Sequence, residues 1–293
     1  MNPILQQFFS YVRKPQPFFN ESLTLQEKWK TIGWMLGLSF VLVFCATPLI
    51  ALVDSFVTPL KQEQFEEILG DLGLIPLLLL VAVVAPILEE SIFRLFLKYK
   101  RNFIFRAFDR VSNGKAKIFW HKNFRFFYYF SAIIFSLIHI GNYDNSSLLF
   151  YVFAPIIVLP QLIAGFTFGY VRMKLGFLWA VLMHGLYNFI IVGSSLLFLN
   201  NLIVSDINNE EISLKIETIE MGLGKESILK HYRHQNVVDS IFIKNTKISV
   251  LALQLFPTDS VLLKNNKRIN LRFINHHKKV DAHLIIAQEL KKQ

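Results

Sequence analysis

Residues 86–96, PILEESIFRLF, close one of the most apolar stretches of this chain, LGLIPLLLLVAVVAP (72–86), and place Glu89, Glu90 and Arg94 at its end. Ionisable side chains inside an apolar span face a protein interior or a water cavity and mark function by default. If the stretch is helical, Glu90 and Arg94 sit four residues apart on one face, within pairing reach. Glu89 lies about 100° further round the helix from Glu90. The expectation is therefore asymmetric: Arg94 holds Glu90 charged, and Glu89 is left for chemistry. The competing reading makes all three a salt-bridged packing device, or lets them snorkel to the membrane surface.

Working outward, the apolar share of 53% and mean hydropathy of +0.41 exceed the ordinary globular range. Apolar blocks at 33–53, 72–97, 126–141, 148–171 and 177–199 are each suited to cross a hydrocarbon core about 30 Å thick. The predicted fold class is an α-helical polytopic membrane bundle of about five spans with a small C-terminal soluble α+β domain. Residues 1–30 read as an interfacial segment with Trp29 and Trp34 near headgroup level, 31–200 as the membrane core, and 201–293 as the tail. Pro155 and Pro160 predict that the fourth span is bent or discontinuous. In the tail, ISLKIETIEM, SIFIKNTKISVLAL and RINLRFIN alternate as strands do, and LIIAQELKKQ reads as a terminal helix.

The excess of 31 Lys and Arg over 21 Asp and Glu suits basic membrane-flanking loops. No nucleic-acid recognition motif accompanies it, so nucleic acid is not an expected partner. The basic segments, namely the N-terminus, 98–125 and Arg172 with Lys174, fall on one side if five spans alternate. That side is expected to be the cytoplasm of a bacterial inner or plasma membrane, with the acidic 54–71 loop and a short surface helix opposite. Cys45 is the sole cysteine, which excludes an internal disulfide or thiolate cluster. No cleavable signal peptide is evident.

Two further spans carry polar groups at helical spacing. FSLIH pairs Phe135 with His139, and HGLYN pairs His184 with Asn188. Singly, such a histidine is a core residue and such an asparagine is interhelical glue. Together with Glu89 they supply a carboxylate, two imidazoles and a carboxamide. That is sufficient to activate water and stabilise the oxyanion of amide hydrolysis.

In this order, EESIFR, FSLIH and HGLYN resemble the EExxxR, FxxxH and HxxxN signatures of the CAAX protease and bacteriocin-processing (Abi) family of intramembrane proteases. The resemblance spans about 72–200. It implies a helix-lined conical cavity in which Glu89 activates water and His139 and His184 orient water or stabilise charge. Asn188 would contribute to the oxyanion hole, with Glu90, Arg94 and Phe135 in support. The implied partners are membrane lipid and a membrane-bound or prenylated peptide or protein substrate. Glu89, His139 and His184 could also hold zinc with an open position. The metal-free alternative stands beside it, since no HExxH helix is present.

Five spans are fewer helices than the family usually has, and the basic 98–125 loop and the tail depart from it as well. A non-catalytic immunity or regulatory partner acting through the tail is a second reading, and a transporter with midplane charges and a Pro-broken helix is a third. His276 and His277, in the tail, read as surface residues.

Overall fold

The computed structural model describes residues 2–17, 22–57, 60, 72–143, 145, 147–219, 223–234, 237–276 and 280–292. The surface helix expected within 54–71 and the position of His277 lie outside the described residues. Among the described residues, five helices are long and apolar enough to cross a membrane, as the five apolar blocks predict. Helix α1 (Pro3–Arg13) precedes them, within the stretch expected to be interfacial. It packs Phe8 and Tyr11 against Tyr170, and Tyr11 also against Tyr128.

The first span, α2 (Leu25–Phe56), starts ahead of its apolar block. Thr24 and Glu27 form a capping box, with the Thr24 N–H donating to the Glu27 carboxylate at 2.7 Å and the Glu27 N–H to the Thr24 hydroxyl at 3.3 Å. That nucleates a helical turn in charged sequence.

The second span, α3 (Leu74–Phe93), carries a π-helical turn at Leu80–Val84. Pro86 is its cause. It has no N–H to give, and the Ala85 N–H reaches back five residues to the Leu80 carbonyl. The two possible helical donors to the Val81 carbonyl are thereby removed. Beyond Phe93 the chain leaves the helix through 3₁₀ turns at Leu95–Leu97 and Tyr99–Arg101.

The basic 98–125 segment is itself folded, as α4 (Phe103–Ser112) and α5 (Lys115–Lys122). Asn113 and Gly114, with φ of 50° and 85°, make the left-handed turn between them. Then come α6 (Phe124–Ile138), α7 (Leu148–Ile157), α8 (Leu159–Lys174) and α9 (Phe177–Phe198). The fourth span is thus broken between α7 and α8, where Pro160 opens the second helix.

Helices α6 and α8 approach closely because Gly165 and Gly169 face the Ala132 backbone and the Tyr128 ring. A Cβ at these positions would lie 3.1 Å from the Ala132 carbonyl oxygen and 3.0 Å from the ring. Small residues four apart are how helices come together where lipid removes the hydrophobic drive. Ser39 of α2 bonds Thr167 of α8 across the same bundle at 3.0 Å.

The tail is a five-stranded antiparallel sheet, ordered β1-β2-β5-β4-β3. Its strands are β1 (Leu202–Asn208), β2 (Ile212–Ile219), β3 (Ile228–His234), β4 (Val237–Lys247) and β5 (Arg268–Asn275). Ile216, Ile241, Leu271 and Phe273 pack with residues of α10 (Ile248–Leu255) and α11 (Ala282–Leu290) into one core. The expected strand SIFIKNTKISVLAL ends at Lys247, and ISVLAL is helical instead. Ile248, Leu251 and Ala252 are its buried positions, a spacing of three and four that belongs to a helix. Strands β1 and β3 lie at the two edges of the sheet and lack a clean alternating signal.

On α9, Gly185 meets the Ala82 carbonyl of the π-helical turn so closely that a Cβ would stand 2.3 Å from its oxygen, whereas Gly193 has nothing within 4 Å. Gly185→Ala is expected to lower the melting temperature in detergent by several degrees, because backbone must move. Gly193→Ala should leave it unchanged or raise it, since Ala is favoured over Gly in helices by about 1 kcal/mol.

Candidate active site

The site is built at the last turn of α3. Glu90 and Arg94 are completely buried, and Arg94 Nη1 donates to Glu90 Oε1. The guanidinium carbon sits 4.0 Å from the Phe135 ring centroid and 5.5 Å from that of Phe168. Two aromatic faces therefore supply cation–π stabilisation where water would otherwise solvate the charge. His184 Nδ1 approaches the same Glu90 oxygen at 3.1 Å, and its ring stacks on Phe168 at 4.6 Å. Arg94, Glu90 and His184 form one chain of charge-assisted contacts, as the i, i+4 spacing predicts for its first link.

Glu89 projects elsewhere. Its Oε2 lies 3.7 Å from His184 Nε2 and 3.9 Å from His139 Nε2 and has no hydrogen-bond partner among the described residues. These separations exceed a direct hydrogen bond and suit a bridged one. His139 Nδ1 is 2.7 Å from the Phe135 carbonyl, an acceptor only, so Nδ1 carries hydrogen and Nε2 is the nitrogen turned to Glu89. The Glu89 side chain keeps 28% of its exposure and His139 keeps 19%, so this side of the cluster is open while the Arg94 side is sealed.

Asn188 sits one turn beyond His184 and donates from Nδ2 to the Val81 carbonyl at 2.9 Å. This is the carbonyl that the π turn and Pro86 leave without a helical donor. HGLYN thus grips α3 at three points: His184 on Glu90, Gly185 against Ala82, and Asn188 on Val81.

Depth counting along ideal helices sets His139 further from the basic face than Glu89. The structure nonetheless brings Glu89 Oε2 within 3.9 Å of His139 Nε2. The turns at Leu95–Arg101 then continue past the end of α3 towards the basic segment, and Ser131 of α6 bonds the Phe93 carbonyl at 2.5 Å.

Arg172 belongs to the site's scaffold and entered the sequence reading only as a topology marker. It is 3% exposed, and its Nε and Nη2 donate to the Arg94 and Leu95 carbonyls at 3.1 and 3.4 Å. With Ser131 it satisfies the open carbonyls at the end of α3, and a cation there complements the helix dipole. Phe168 was also missed. The π turn had one legible signal, Pro86 within an uninterrupted apolar run.

Glu89, His139 and His184 offer the donor types of a zinc site. Among the described residues, however, no three or more His, Cys, Asp and Glu side chains are grouped so as to hold a metal ion. Glu89 Oε2 stands 3.7 and 3.9 Å from the two imidazole Nε2 atoms, wider than the roughly 3.4 Å between donors of a tetrahedral zinc site, so the three side chains would have to close in to hold one.

The fold is that of a polytopic helical membrane protein with a small C-terminal α+β domain, and it buries a Glu–Arg–His chain beside a partly exposed carboxylate. Residues 71–190 match the family model described as Type II CAAX prenyl endopeptidase Rce1-like, a stretch that contains EESIFR, FSLIH and HGLYN. The searches of curated proteins and of solved structures returned no match.

Asn188→Leu would leave the Val81 carbonyl unpaired. It is expected to destabilise the protein by about 1–2 kcal/mol, read as a lowered melting temperature in detergent, while Asn188→Gln recovers part of the loss.

Proposed function

We propose that the protein is a membrane-embedded endopeptidase that hydrolyses a peptide bond of a membrane-bound peptide or protein with water activated by Glu89. The observation carrying this is the division between the two adjacent carboxylates. Glu90 is fully buried with its Oε1 taken by Arg94 and His184 and its Oε2 unpartnered, while Glu89 is partly exposed and its Oε2, also without a hydrogen-bond partner among the described residues, lies opposite two imidazole Nε2 atoms.

In this reading a water bridges Glu89 and His139. Glu89 takes its proton as the water oxygen bonds to the scissile carbonyl carbon, and the carbonyl electron pair moves onto oxygen. His184 is held at Glu90 through Nδ1 and turns Nε2 to the Glu89 side, where an Nε2–H stabilises the oxyanion. When the C–N bond breaks, the amine leaves with the proton held by Glu89. Asn188 sets the position of His184 by tying α9 to α3. No step passes through a metal.

General-base catalysis of this kind contributes about 10²–10⁴-fold. Glu89→Gln, expressed at the wild-type level, should therefore abolish a set of new peptide termini detectable by mass spectrometry in the membrane fraction. Termini unaffected by the substitution would refute the assignment. The absence of any difference across several growth conditions would favour the regulatory-partner reading. Extensive dialysis against a chelator should leave cleavage at its starting rate. A loss that added zinc restores would instead establish a metalloprotease.

A further inference from the structure

Outside this site, the most distinctive feature is a cavity of about 440 Å³ between the α4–α5 hairpin, the end of α3 and the start of α6. That is within the usual range for a small-molecule site. Ile92, Leu95, Phe103, Phe126 and Phe130 line it, with Arg101 and Asn102 at the same wall. Asn102 is 4% exposed and fixes the start of the hairpin to the 3₁₀ turn that follows α3. Its Nδ2 donates to the Phe96 carbonyl at 3.3 Å, and its Oδ1 accepts from the Phe105 N–H at 3.1 Å. The hairpin is closed on its inner side by Phe105, which lies 6.2 Å from Phe119 and 5.1 Å from Phe127 between ring centroids.

The outer side is the opposite case. Phe103, Ile104, Phe108 and Val111 are all more than 60% exposed, and on α4 they form one stripe, with Arg106, Asp109 and Arg110 on the other face. An apolar stripe facing away from the protein is the pattern of a helix lying in the plane of a membrane surface. Its location agrees: the segment joins the end of one span to the start of the next, so it lies at a membrane edge. Residues 98–125 carry nine Lys and Arg against one acidic residue, Asp109, and an anionic leaflet attracts each such cation.

We propose that the α4–α5 hairpin lies in the headgroup layer and that the cavity beneath it holds an acyl chain of one anionic phospholipid, whose phosphate is taken by Arg101. Guanidinium is suited to this, because its planar fork can bind two phosphate oxygens at once. Nonspecific attraction to the basic segment would concentrate anionic lipid there. The cavity and Arg101 make one molecule of it a bound component.

The test is native mass spectrometry of the full chain, purified in non-ionic detergent and offered equal amounts of phosphatidylglycerol and phosphatidylcholine with identical acyl chains. One phosphatidylglycerol per chain should be retained in about tenfold preference. Arg101→Gln should erase the preference. Lys30→Gln, a change of charge outside the cavity, should not. Ile92→Trp, at an exposed position of the lining, should remove retention of both lipids while elution on size exclusion stays unchanged. A preference that survives Arg101→Gln, or retention that survives Ile92→Trp, would overturn the proposal. So would equal retention of the two lipids. The readout is lipid alone, so it is independent of whether the chain cleaves peptides.

Discussion

An arginine and a glutamate buried completely in an apolar bundle must neutralise one another, and Arg94 Nη1 and Glu90 Oε1 do so with help from two phenylalanine faces and a histidine. Glu90 Oε2 and Arg94 Nε and Nη2 stay without a hydrogen-bond partner among the described residues. Removing one member of such a pair leaves an uncompensated charge and costs about 3–5 kcal/mol. The pair therefore constrains everything around it. Phe135 must come from α6 and Phe168 from α8, and His184 must present Nδ1 from α9. Four helices converge on one ion pair, and the geometry of Glu89 follows from where those helices are obliged to stand.

The same convergence explains two departures from regular structure. Helix α3 stops at the ion pair, with Arg94 just past its last residue, and the carbonyls of Phe93, Arg94 and Leu95 accept from Ser131 and Arg172. Earlier in the helix, Pro86 forces a π turn and leaves the Val81 carbonyl open, where Asn188 fills it. Each irregularity has a polar side chain from a neighbouring helix assigned to it, which is how broken backbone is tolerated inside a membrane protein. Breaks and partners together hold Glu89 within bridging distance of both imidazoles.

Much of this was legible in the sequence because its signals were local. The Glu90–Arg94 pairing follows from a spacing of four, and the five spans follow from unbroken apolar length. The break in the fourth span follows from Pro155 and Pro160. What was hidden depends on contacts distant in sequence. Nothing near Arg172 shows that it caps carbonyls at 94 and 95, and nothing near Gly185 shows that Ala82 presses on it. The segment 98–125 reads as a basic loop because its charges mask the apolar stripe of α4. In the tail, ISVLAL continues the apolar character of β4, and only its buried positions at three and four residues reveal a helix. The edge strands were missed because one face or both are open to solvent, which weakens the alternation that burial imposes.

The central claim is that two adjacent carboxylates do different work, Glu90 holding the bundle together and Glu89 acting on water. The most direct measurement is thermal unfolding in detergent of Glu89→Gln and Glu90→Gln beside the wild type. The account predicts that Glu89→Gln melts with the wild type or above it, since it neutralises an unpaired carboxylate, whereas Glu90→Gln melts many degrees lower. Equal destabilisation by both, or a stable Glu90→Gln protein, would contradict it.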